Sequence, residues 1–392
     1  MNIPIKRKNF LVFGQPSIEQ TEIDEVVDSL KSGWLGTGIK VHKFEELFKE
    51  YKSAKYAIAL NSCTAALHLS MLAIGIENGD EVIVPTMTFA ATANAVIHAG
   101  GKPVFADCCR DSMNISPADI ERRITPRTRA IIPVHFAGRP CDMKAIMGIA
   151  REKNLKVIED CAHAIETEYH GKKTGTFGDI GCFSFYVTKN IVTGEGGMVI
   201  TDNEEYANKI KILGLHGMDK DAWKRFSDEG YKHYHVTCAG FKYNMMDLQA
   251  AIGMHQLARV DKYWMRRASI WKQYNSAFKD QPVIIPHPVE QGTRHAFHLY
   301  TLLLNTEKLS ITRDRFLDEM TKYNIGVGVH YLALHLHPYY RDQYGYKTGD
   351  FQNAEWISER TVSIPISAKL TDEDISNVIE TVKCICKKYE KN

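Results

Sequence analysis

Short apolar runs alternate with helical patterns through the first two-thirds of this chain, and that alternation restricts the possible folds more than any other feature. The apolar runs include YAIAL at residues 56–60, EVIVP at 81–85 and LKVIED at 155–160. They lack the polar alternation of a strand with one solvated face, which indicates strands that are buried on both faces. Buried strands interleaved with helices predict an α/β domain whose mostly parallel sheet lies between layers of helices.

The last third of the chain has a different pattern. Helical spacing continues from about residue 247 for roughly eight turns, which is long enough to connect two domains. Beyond it, AFHLYTLLL, a helix near residues 313–323 and a terminal helix from Asp372 indicate a smaller α+β domain. We therefore predict a large domain at residues 1–260 and a smaller C-terminal domain at 261–392, joined by the long helix.

The composition argues against several classes of function. The net charge is +2 over 392 residues, so there is no electrostatic basis for binding nucleic acid or an anionic membrane. No apolar run is long enough for a signal peptide or a bilayer span, so we expect a cytoplasmic protein. The nine cysteines include no CxxC pair and the sixteen histidines no HExxH motif, so we expect reduced thiols and predict no metal site.

One stretch, FSFYVTKNIVTGEGG at residues 183–197, places Lys189 between an aromatic-rich strand and a glycine cluster. Two other motifs are expected at the same edge of the sheet, because ligands of such sheets lie beyond the carboxyl ends of the strands. NSCTAAL at residues 61–67 is a polar turn between a strand and a helix, and Asp160 ends a buried strand three residues before His163. Taken alone, the turn could be a simple helix cap, and Asp160 could cap the following helix.

Together these motifs fit one cofactor, pyridoxal 5'-phosphate. Thr64 and the free amides at the start of its helix could hold the phosphate. A buried Lys189 with a lowered pKa could form a Schiff base with the aldehyde, and Asp160 could keep the pyridine nitrogen protonated. The glycines of GEGG, residues 194–197, would let the backbone turn tightly beside the cofactor.

Four segments, at residues 61–96, 157–164, 183–202 and 240–257, resemble the sugar-nucleotide aminotransferases of the DegT/DnrJ/StrS family. The resemblance covers nearly the whole chain in order. It implies a fold-type I pyridoxal-phosphate enzyme with a seven-stranded sheet, and pyridoxamine 5'-phosphate as the intermediate form of the cofactor. It also implies a homodimer with active sites at the subunit interface.

The resemblance implies a role for each matched residue. Lys189 matches the lysine that binds the cofactor aldehyde and moves the proton, and Asp160 matches the partner of the pyridine nitrogen. Cys63 and Thr64 match the phosphate-binding turn, where many family members have glycine before the threonine. Ser184 matches a phosphate-binding hydroxyl.

Four further residues are implied to contact the cofactor. Phe89 matches an aromatic residue that stacks on the pyridine ring. His163 stands where many members have glutamine near the phenolic oxygen of the cofactor, and its protonation would influence the bound cofactor. Lys242 and Asn244 stand where many members have asparagine and arginine. Either could reach the phosphate from the partner subunit, and the sequence does not choose between them.

The resemblance also implies residues at the substrate mouth. In SGWLGTG, residues 32–38, Trp34 could stack on the nucleotide or sugar, and Thr37 could bond a hydroxyl or a phosphate. His330 and Tyr331, in GVHY, match an active-site segment of the family. We expect both to contact substrate.

The segments at residues 215–226, 240–245 and 326–342 most resemble members that aminate carbon 4 of nucleotide-linked keto-sugars, such as the enzyme that makes UDP-4-amino-4-deoxy-L-arabinose. Lys189 favours transamination, because members with histidine there act as dehydratases. The implied reaction transfers the amino group of L-glutamate to a UDP- or dTDP-linked 4-keto sugar, for a surface polysaccharide or lipopolysaccharide. Three alternatives stay open: a 3-keto-sugar or cyclitol aminotransferase, a catalytically idle binding or regulatory member, and a general amino-acid aminotransferase. The last lacks a clear arginine for the second carboxylate of its substrate.

Overall fold

The computed structural model describes residues 6–219 and 234–391. The segment at residues 215–226, part of the basis for the 4-keto prediction, therefore lies partly outside the described residues. In chain order the helices are α1 (Gln20–Ser32), α2 (Ile39–Lys52), α3 (Cys63–Ala73), α4 (Ala90–His98), α5 (Pro117–Arg123), α6 (Met143–Glu152), α7 (Glu204–Gly214), α8 (Asp247–Ala258), α9 (Val260–Phe278), α10 (Arg313–Lys322), α11 (Pro338–Tyr344), α12 (Gln352–Ser358) and α13 (Asp372–Lys388). The strands are β1 (Tyr56–Leu60), β2 (Glu81–Pro85), β3 (Lys102–Ala106), β4 (Thr128–Ile131), β5 (Lys156–Asp160), β6 (Glu168–Tyr169), β7 (Lys172–Lys173), β8 (Ile180–Ser184), β9 (Gly197–Thr201), β10 (Val283–Ile284), β11 (Thr293–Arg294), β12 (Tyr300–Leu304) and β13 (Thr361–Ile364).

A seven-stranded sheet in the order β1-β9-β8-β5-β4-β2-β3 forms the centre of the large unit. Neighbouring strands pair in parallel except at β9, which is antiparallel to both β1 and β8. The predicted α/β fold with a mostly parallel seven-stranded sheet is confirmed. Because the parallel strands share one direction, their carboxyl ends meet at a single edge of the sheet.

Helices cover both faces of this sheet, because successive residues of a strand point to opposite sides. In β1, Ile58 and Leu60 pack in one core with α3, α4 and α7, whereas Ala59 packs in another core with α2 and α8. In β4, Ala130 belongs to the first of these cores, and Ile131 packs with α5 and α6 in a third. Burial on both faces is why the strands read as continuous apolar runs in the sequence.

A second unit is built around the antiparallel sheet β10-β12-β13, whose residues share a core with α9, α10 and α13. The single long helix expected from about residue 247 is instead two helices, because the backbone at Arg259 leaves helical geometry (φ −108°, ψ 6°) between α8 and α9. The Arg259 side chain bonds Thr21 at 2.9 Å and ion-pairs with Glu22, both on α1. The domain boundary at residues 260 and 261 stays a prediction.

None of the helices in the described ranges combines the length and the apolar character needed to cross a bilayer.

Candidate active site

A cavity of about 680 Å³ opens at the carboxyl-end edge of the seven-stranded sheet, lined by residues at or just beyond the ends of β1, β2, β5 and β8. Nine residues predicted to bind cofactor or substrate line it: Cys63, Thr64, Phe89, Asp160, His163, Ser184, Lys189, His330 and Tyr331. The other four predicted residues are not part of this lining: Trp34, Thr37, Lys242 and Asn244. The fold therefore brings together predicted side chains that are as far apart in the sequence as Cys63 and Tyr331.

Lys189 lies in the loop between β8 and β9, where its amide donates to the carbonyl of Tyr186 at 2.9 Å and closes a turn. The side chain is half-buried against the cavity. Burial lowers the pKa of Lys189 to about 8, and the negative charge of Asp160 opposes that shift. An amine with this pKa is neutral, and so nucleophilic, in a much larger fraction of molecules near neutral pH than an ordinary lysine.

Asp160 is the last residue of β5, and its carboxylate is buried and fixed in orientation. The hydroxyl of Thr92 donates to Oδ2 at 2.9 Å, and the amide of Ala162 donates to Oδ1 at 3.1 Å. Burial raises the pKa of Asp160, while these two hydrogen bonds and the charge of Lys189 act in the opposite direction. A carboxylate held in this way can accept a hydrogen bond from a protonated ring nitrogen in the cavity.

The start of α3 presents free backbone amides to the cavity. The side chain of Ser62 caps the helix by accepting from the amide of Ala65 at 3.1 Å. Within the described residues, the amides of Cys63 and Thr64 have no hydrogen-bond acceptor, and both residues line the cavity. Ser184, at the end of β8, adds a hydroxyl. A helix start with two free amides and a nearby hydroxyl fits a phosphate group.

The residue next to this helix start has to be glycine. A Cβ added to Gly197 would lie 2.4 Å from the carbonyl carbon of Ser62 and 2.6 Å from the amide nitrogen of Cys63. The absence of a side chain lets the start of β9 approach the helix start closely. Gly194 serves the loop differently, since its φ of +86° lies in the left-handed region.

Cys63 contributes its backbone to the site and carries no charge. Burial raises the pKa of the Cys63 thiol well above its usual range. The thiol is therefore neutral, and it does not repel a phosphate that the neighbouring amides bind.

His163 is buried, and its hydrogen bonds define one tautomer. Its Nδ1 accepts from the amide of Ala137 at 3.2 Å, so the proton of the neutral ring is on Nε2, which lies 3.2 Å from the hydroxyl of Tyr331. Burial lowers the pKa of His163 well below its usual range, and the charge of Lys189 adds to this effect. The ring therefore stays neutral at ordinary pH and offers a fixed N–H donor, rather than the variable charge that the sequence suggested.

Aromatic rings form another part of the cavity wall. Phe89 precedes α4 and keeps 63% of its surface exposed, and its ring centroid lies 6.3 Å from that of Tyr331. The ring of Phe13 stacks on His330 at 5.5 Å, and both residues line the cavity. An exposed phenylalanine in a concave site is a suitable surface for a flat ring such as a pyridine.

The four predicted residues outside the cavity lining form a hydrogen-bonded group of their own. Asn244 donates to the hydroxyl of Thr37 at 2.6 Å and accepts from the amine of Lys242 at 2.5 Å. The indole N–H of Trp34 donates to the carbonyl of Thr37 at 3.2 Å. The amide of Asn61 donates to the carbonyl of Tyr243 at 2.6 Å, so this group is tied to the chain just before the phosphate-binding turn.

Three features that matter to this geometry were missed at the sequence level. Thr92, which orients Asp160, lies three residues after Phe89 in a helix rich in alanine, and nothing in the local pattern marks it. Phe13 reaches the cavity from the N-terminal segment, far from the other motifs. The contact of Gly197 with Ser62 was not predicted, although the glycine cluster itself pointed to close backbone approach.

Among the described residues, one buried group has the side-chain types of a metal site: His135, Glu159 and Cys161. The ligand atoms of Glu159 and His135 already have partners, because Glu159 accepts from His135 at 3.0 Å and from three backbone amides at 2.7 to 2.8 Å. The other ring nitrogen of His135 accepts from the amide of Cys141 at 3.0 Å. Burial keeps the Cys161 thiol neutral by raising its pKa. These contacts indicate a structural role for the group.

The cavity residues fit pyridoxal 5'-phosphate. Cys63 and Thr64 supply amides for the phosphate, Asp160 a carboxylate for the ring nitrogen, and Lys189 an amine of lowered pKa for the aldehyde. Because Gly197 has no Cβ, the backbone of β9 can contact the backbone of the phosphate-binding turn.

Comparison with known proteins gives one family. The model described as the DegT/DnrJ/EryC1/StrS aminotransferase family matches residues 16–383. The spore coat polysaccharide biosynthesis protein SpsC of Bacillus subtilis is 48% identical over 383 residues, covering 97% of this chain and 98% of SpsC. An uncharacterized protein of Methanocaldococcus jannaschii, MJ1066, is 53% identical over 379 residues, covering 97% of this chain and 98% of that protein.

Solved structures agree with this comparison. The putative sugar aminotransferase Spr1654 from Streptococcus pneumoniae superimposes in its PMP form with a TM-score of 0.91 and 32% identity, covering 96% of this chain and 99% of that one. The same protein in its PLP form gives a TM-score of 0.90 and 31% identity, covering 97% and 99% of the two chains. The two forms of Spr1654 carry the aldehyde and amine forms of one cofactor.

Proposed function

The chain belongs to the DegT/DnrJ/EryC1/StrS aminotransferase family, and we propose that it transfers the amino group of L-glutamate to the 4-keto carbon of a nucleotide-linked sugar. The protein is a pyridoxal-phosphate-dependent sugar aminotransferase, and the finer choice of substrate is the proposal. The observation that most supports transamination is the amine of Lys189, with its lowered pKa, in one cavity with Asp160 and the free amides of Cys63 and Thr64.

In the proposed reaction, bound pyridoxal phosphate supplies an aldehyde that accepts amines and a ring that withdraws electrons from the attached carbon. The amides of Cys63 and Thr64 bind the phosphate, and the carboxylate of Asp160 holds a proton at the ring nitrogen. Nζ of Lys189 removes the proton from the carbon that carries the amino group of glutamate, and later returns a proton to the sugar carbon.

The remaining cavity residues orient the reactants in this proposal. The ring of Phe89 stacks on the pyridine. Nε2–H of His163, now 3.2 Å from the hydroxyl of Tyr331, would exchange that neighbour for the phenolic oxygen of the bound cofactor. The hydroxyl of Ser184 donates to the phosphate. His330 and Tyr331 contact the sugar in this proposal, and both line the cavity.

We further propose that the enzyme works as a homodimer in which Trp34, Thr37, Lys242 and Asn244 complete the cavity of the partner subunit. Two features support this arrangement. The four residues form one hydrogen-bonded group that does not line the cavity of their own chain. The adjoining α1 leaves an apolar stripe exposed, with Ile23 at 48%, Val27 at 38% and Leu30 at 55% exposure, as is typical of an unpaired interface.

The product of the reaction is proposed to enter a surface polysaccharide or lipopolysaccharide. SpsC is named for spore coat polysaccharide biosynthesis, and the 48% identity with it supports a polysaccharide product. The cytoplasmic location stays a prediction.

The substrate proposal is tested by an amination assay with matched sugars. The purified protein, loaded with pyridoxal phosphate, is incubated with L-glutamate and either dTDP-4-keto-6-deoxyglucose, dTDP-3-keto-6-deoxyglucose or a UDP-linked 4-keto pentose. We expect glutamate-dependent formation of the 4-amino sugar from at least one 4-keto substrate, at least about tenfold faster than amination of the 3-keto sugar, a discrimination of about 1.4 kcal/mol.

Two results would contradict the proposal. Amination of the 3-keto sugar alone would move the protein to the 3-keto class. If glutamate fails to convert the bound cofactor from its aldehyde to its amine form, the protein would instead be an idle binding or regulatory member of the family. The Lys189→Ala variant is the control, because it retains the phosphate cradle and lacks the reacting amine.

A further inference from the structure

An N-terminal strap, defined as residues 10–17, runs from the second unit to the large unit past the cavity. Its first anchor is Leu11, which is buried in the core of the second unit. The amide of Leu11 donates to the carbonyl of Asn324, and its own carbonyl accepts from the amide of Gly326, both at 2.8 Å. This end of the strap is therefore held like an added strand.

The second anchor of the strap lies on the large unit. The carbonyl of Ser17 accepts from the side-chain amide of Gln256, a buried residue of α8, at 2.8 Å. Between the anchors, Gly14 lies against the loop of the reactive lysine, since an added Cβ would come within 2.9 Å of the Cβ of Thr188. The strap therefore has a fixed position relative to Lys189, the next residue.

Phe13 is the strap residue whose ring reaches the cavity wall. Its ring stacks on the imidazole of His330 with centroids 5.5 Å apart and planes at 25°. His330 is fixed in turn, because its Nδ1 lies 2.8 Å from the hydroxyl of Ser363 and a Cβ at Gly328 would come within 2.9 Å of its Cε1. The two rings form a rigid surface on the cavity wall.

The chemistry of this surface suits a sugar better than an amino acid. Burial lowers the pKa of His330 to about 3, so the imidazole is uncharged at ordinary pH. The face of a phenyl ring carries partial negative charge, which favours the weakly positive C–H groups of a pyranose and disfavours the two carboxylates of glutamate. Aromatic rings with few charged groups are the usual wall of a site that binds a compact organic ring.

We propose that Phe13 is a specificity-determining residue for the sugar half of the reaction. Its ring, stacked on His330, forms a platform for the C–H face of the keto-sugar and does not contribute to the glutamate half. The proposal depends on the proposed function, because it needs a sugar as amino acceptor.

The test compares the two halves of the reaction in the Phe13→Leu variant, which keeps apolar volume and removes the ring. Calorimetry measures the Kd of dTDP-4-keto-6-deoxyglucose and of the UDP-linked 4-keto pentose for the enzyme in its pyridoxal form, where no amino group is available for transfer. We expect Kd of the better-bound sugar to rise about tenfold, equivalent to about 1.4 kcal/mol. The rate and KM of the glutamate half, followed by the absorbance of the cofactor, should change less than about twofold, which corresponds to about 0.4 kcal/mol.

Two further variants separate a platform from a general effect of the strap. Phe13→Tyr keeps the ring, and we expect it to bind the sugar within about twofold of the wild type, again about 0.4 kcal/mol. Phe10→Leu removes an exposed ring that belongs to the same strap but does not line the cavity. We expect this variant to have the Kd values of the wild type.

Several results would overturn the inference. One is an unchanged Kd for the sugar in Phe13→Leu. Another is a loss of rate in the glutamate half as large as the loss of sugar affinity, which would mean that the ring only supports the fold. If the wild type converts its cofactor with glutamate but binds none of the sugars, the proposed function fails first and the platform has no ligand. That outcome appears in the wild type alone, so the two failures are distinguishable.

Discussion

Lys189 and Asp160 both line the cavity and both titrate, and their pKa values are shifted in opposite directions. Burial lowers the pKa of Lys189 and raises that of Asp160, because desolvation disfavours the charged form of each group. The two charges attract each other and limit both shifts. The amine is thus available as a nucleophile near neutral pH, while hydrogen bonds from Thr92 and Ala162 favour the ionised form of Asp160.

The first prediction follows from the pKa of Lys189. In the cofactor-free protein, the rate at which Lys189 reacts with an amine reagent should rise with pH with a midpoint of about 8. An ordinary lysine would have a midpoint of about 10.4. The folded-state pKa is lowered, so the reactive neutral amine appears above pH 8 and is lost as pH falls below it. Competitive labelling with peptide mass spectrometry across pH 6 to 11 measures the midpoint.

Two variants control this measurement. Asp160→Asn removes the charge that favours the ammonium form, so it should shift the midpoint further down. Lys189→Ala should lose both the labelled peptide and the borohydride-reducible attachment of pyridoxal phosphate, and turnover should fall by at least about a thousandfold. A midpoint near that of a free lysine, or full turnover in Lys189→Ala, would refute the role of this amine.

At the residue scale, the sequence identified side chains that have a distinctive motif around them. Lys189 precedes a glycine cluster and Asp160 ends an apolar run, so both stood out locally, and their combination with the turn at residues 61–67 predicted the cofactor. The neutral tautomer of His163 could not be, because it depends on the amide of Ala137, which is distant in the sequence. The same limitation applies to Thr92, whose bond to Asp160 joins α4 to the end of β5.

At the scale of elements, the phosphate cradle depends on how closely β9 approaches the start of α3. The second prediction is that Gly197→Ala weakens binding of pyridoxal phosphate by at least about tenfold, or about 1.4 kcal/mol. The added Cβ would lie 2.4 Å from backbone atoms of Ser62, so the helix start has to move and its free amides lose their alignment. Fluorescence titration of the cofactor-free protein with pyridoxal phosphate measures the Kd.

A glycine elsewhere provides the matched control for this change. Gly148 lies inside α6, and an added Cβ there meets nothing within 4 Å. Gly148→Ala should therefore leave the Kd unchanged, and it should stabilise the protein by up to about 1 kcal/mol through helix propensity. If Gly197→Ala binds the cofactor as tightly as Gly148→Ala does, the close approach of β9 is not needed for the cradle.

The sequence was most informative about elements whose burial is uniform. The apolar runs at 56–60 and 81–85 coincide with β1 and β2, because strands buried on both faces lack the alternating polar positions of a strand with one solvated face. The break between α8 and α9 was not predicted. Arg259 is compatible with a helix, and the interruption coincides with its bonds to Thr21 and Glu22 on α1, which is more than 200 positions away.

At the scale of the whole molecule, the proposed dimer makes each active site depend on two chains. Lys189 lines the cavity of its own chain, whereas Asn244 and Lys242 lie in the separate group with Thr37 and Trp34. If that group completes the partner's cavity, a defect in Lys189 and a defect in Asn244 affect different sites within one dimer. Homodimers of either variant then have two impaired sites.

The third prediction concerns mixed dimers in which one subunit carries Lys189→Ala. The other subunit carries Asn244→Ala or Lys242→Ala, and the variant used is the one that weakens cofactor binding in its own homodimer. In a mixed dimer one site combines native Lys189 with the native partner group, and the other site carries both defects. We expect the mixed dimer, isolated with two affinity tags, to have about half the activity of the wild type, because one of its two sites is intact. The two homodimeric variants are the controls.

The mixed dimer also decides between the two geometries that the fold allows. If Asn244 or Lys242 served the cavity of its own chain, each of the two active sites in the mixed dimer would carry one substitution. Both sites would then be impaired, and no activity would be recovered. If neither Asn244→Ala nor Lys242→Ala weakens cofactor binding, the phosphate is held by the amides of Cys63 and Thr64 without help from this group. Recovery near half therefore requires that the hydrogen-bonded group around Thr37 acts on the cavity of the partner subunit.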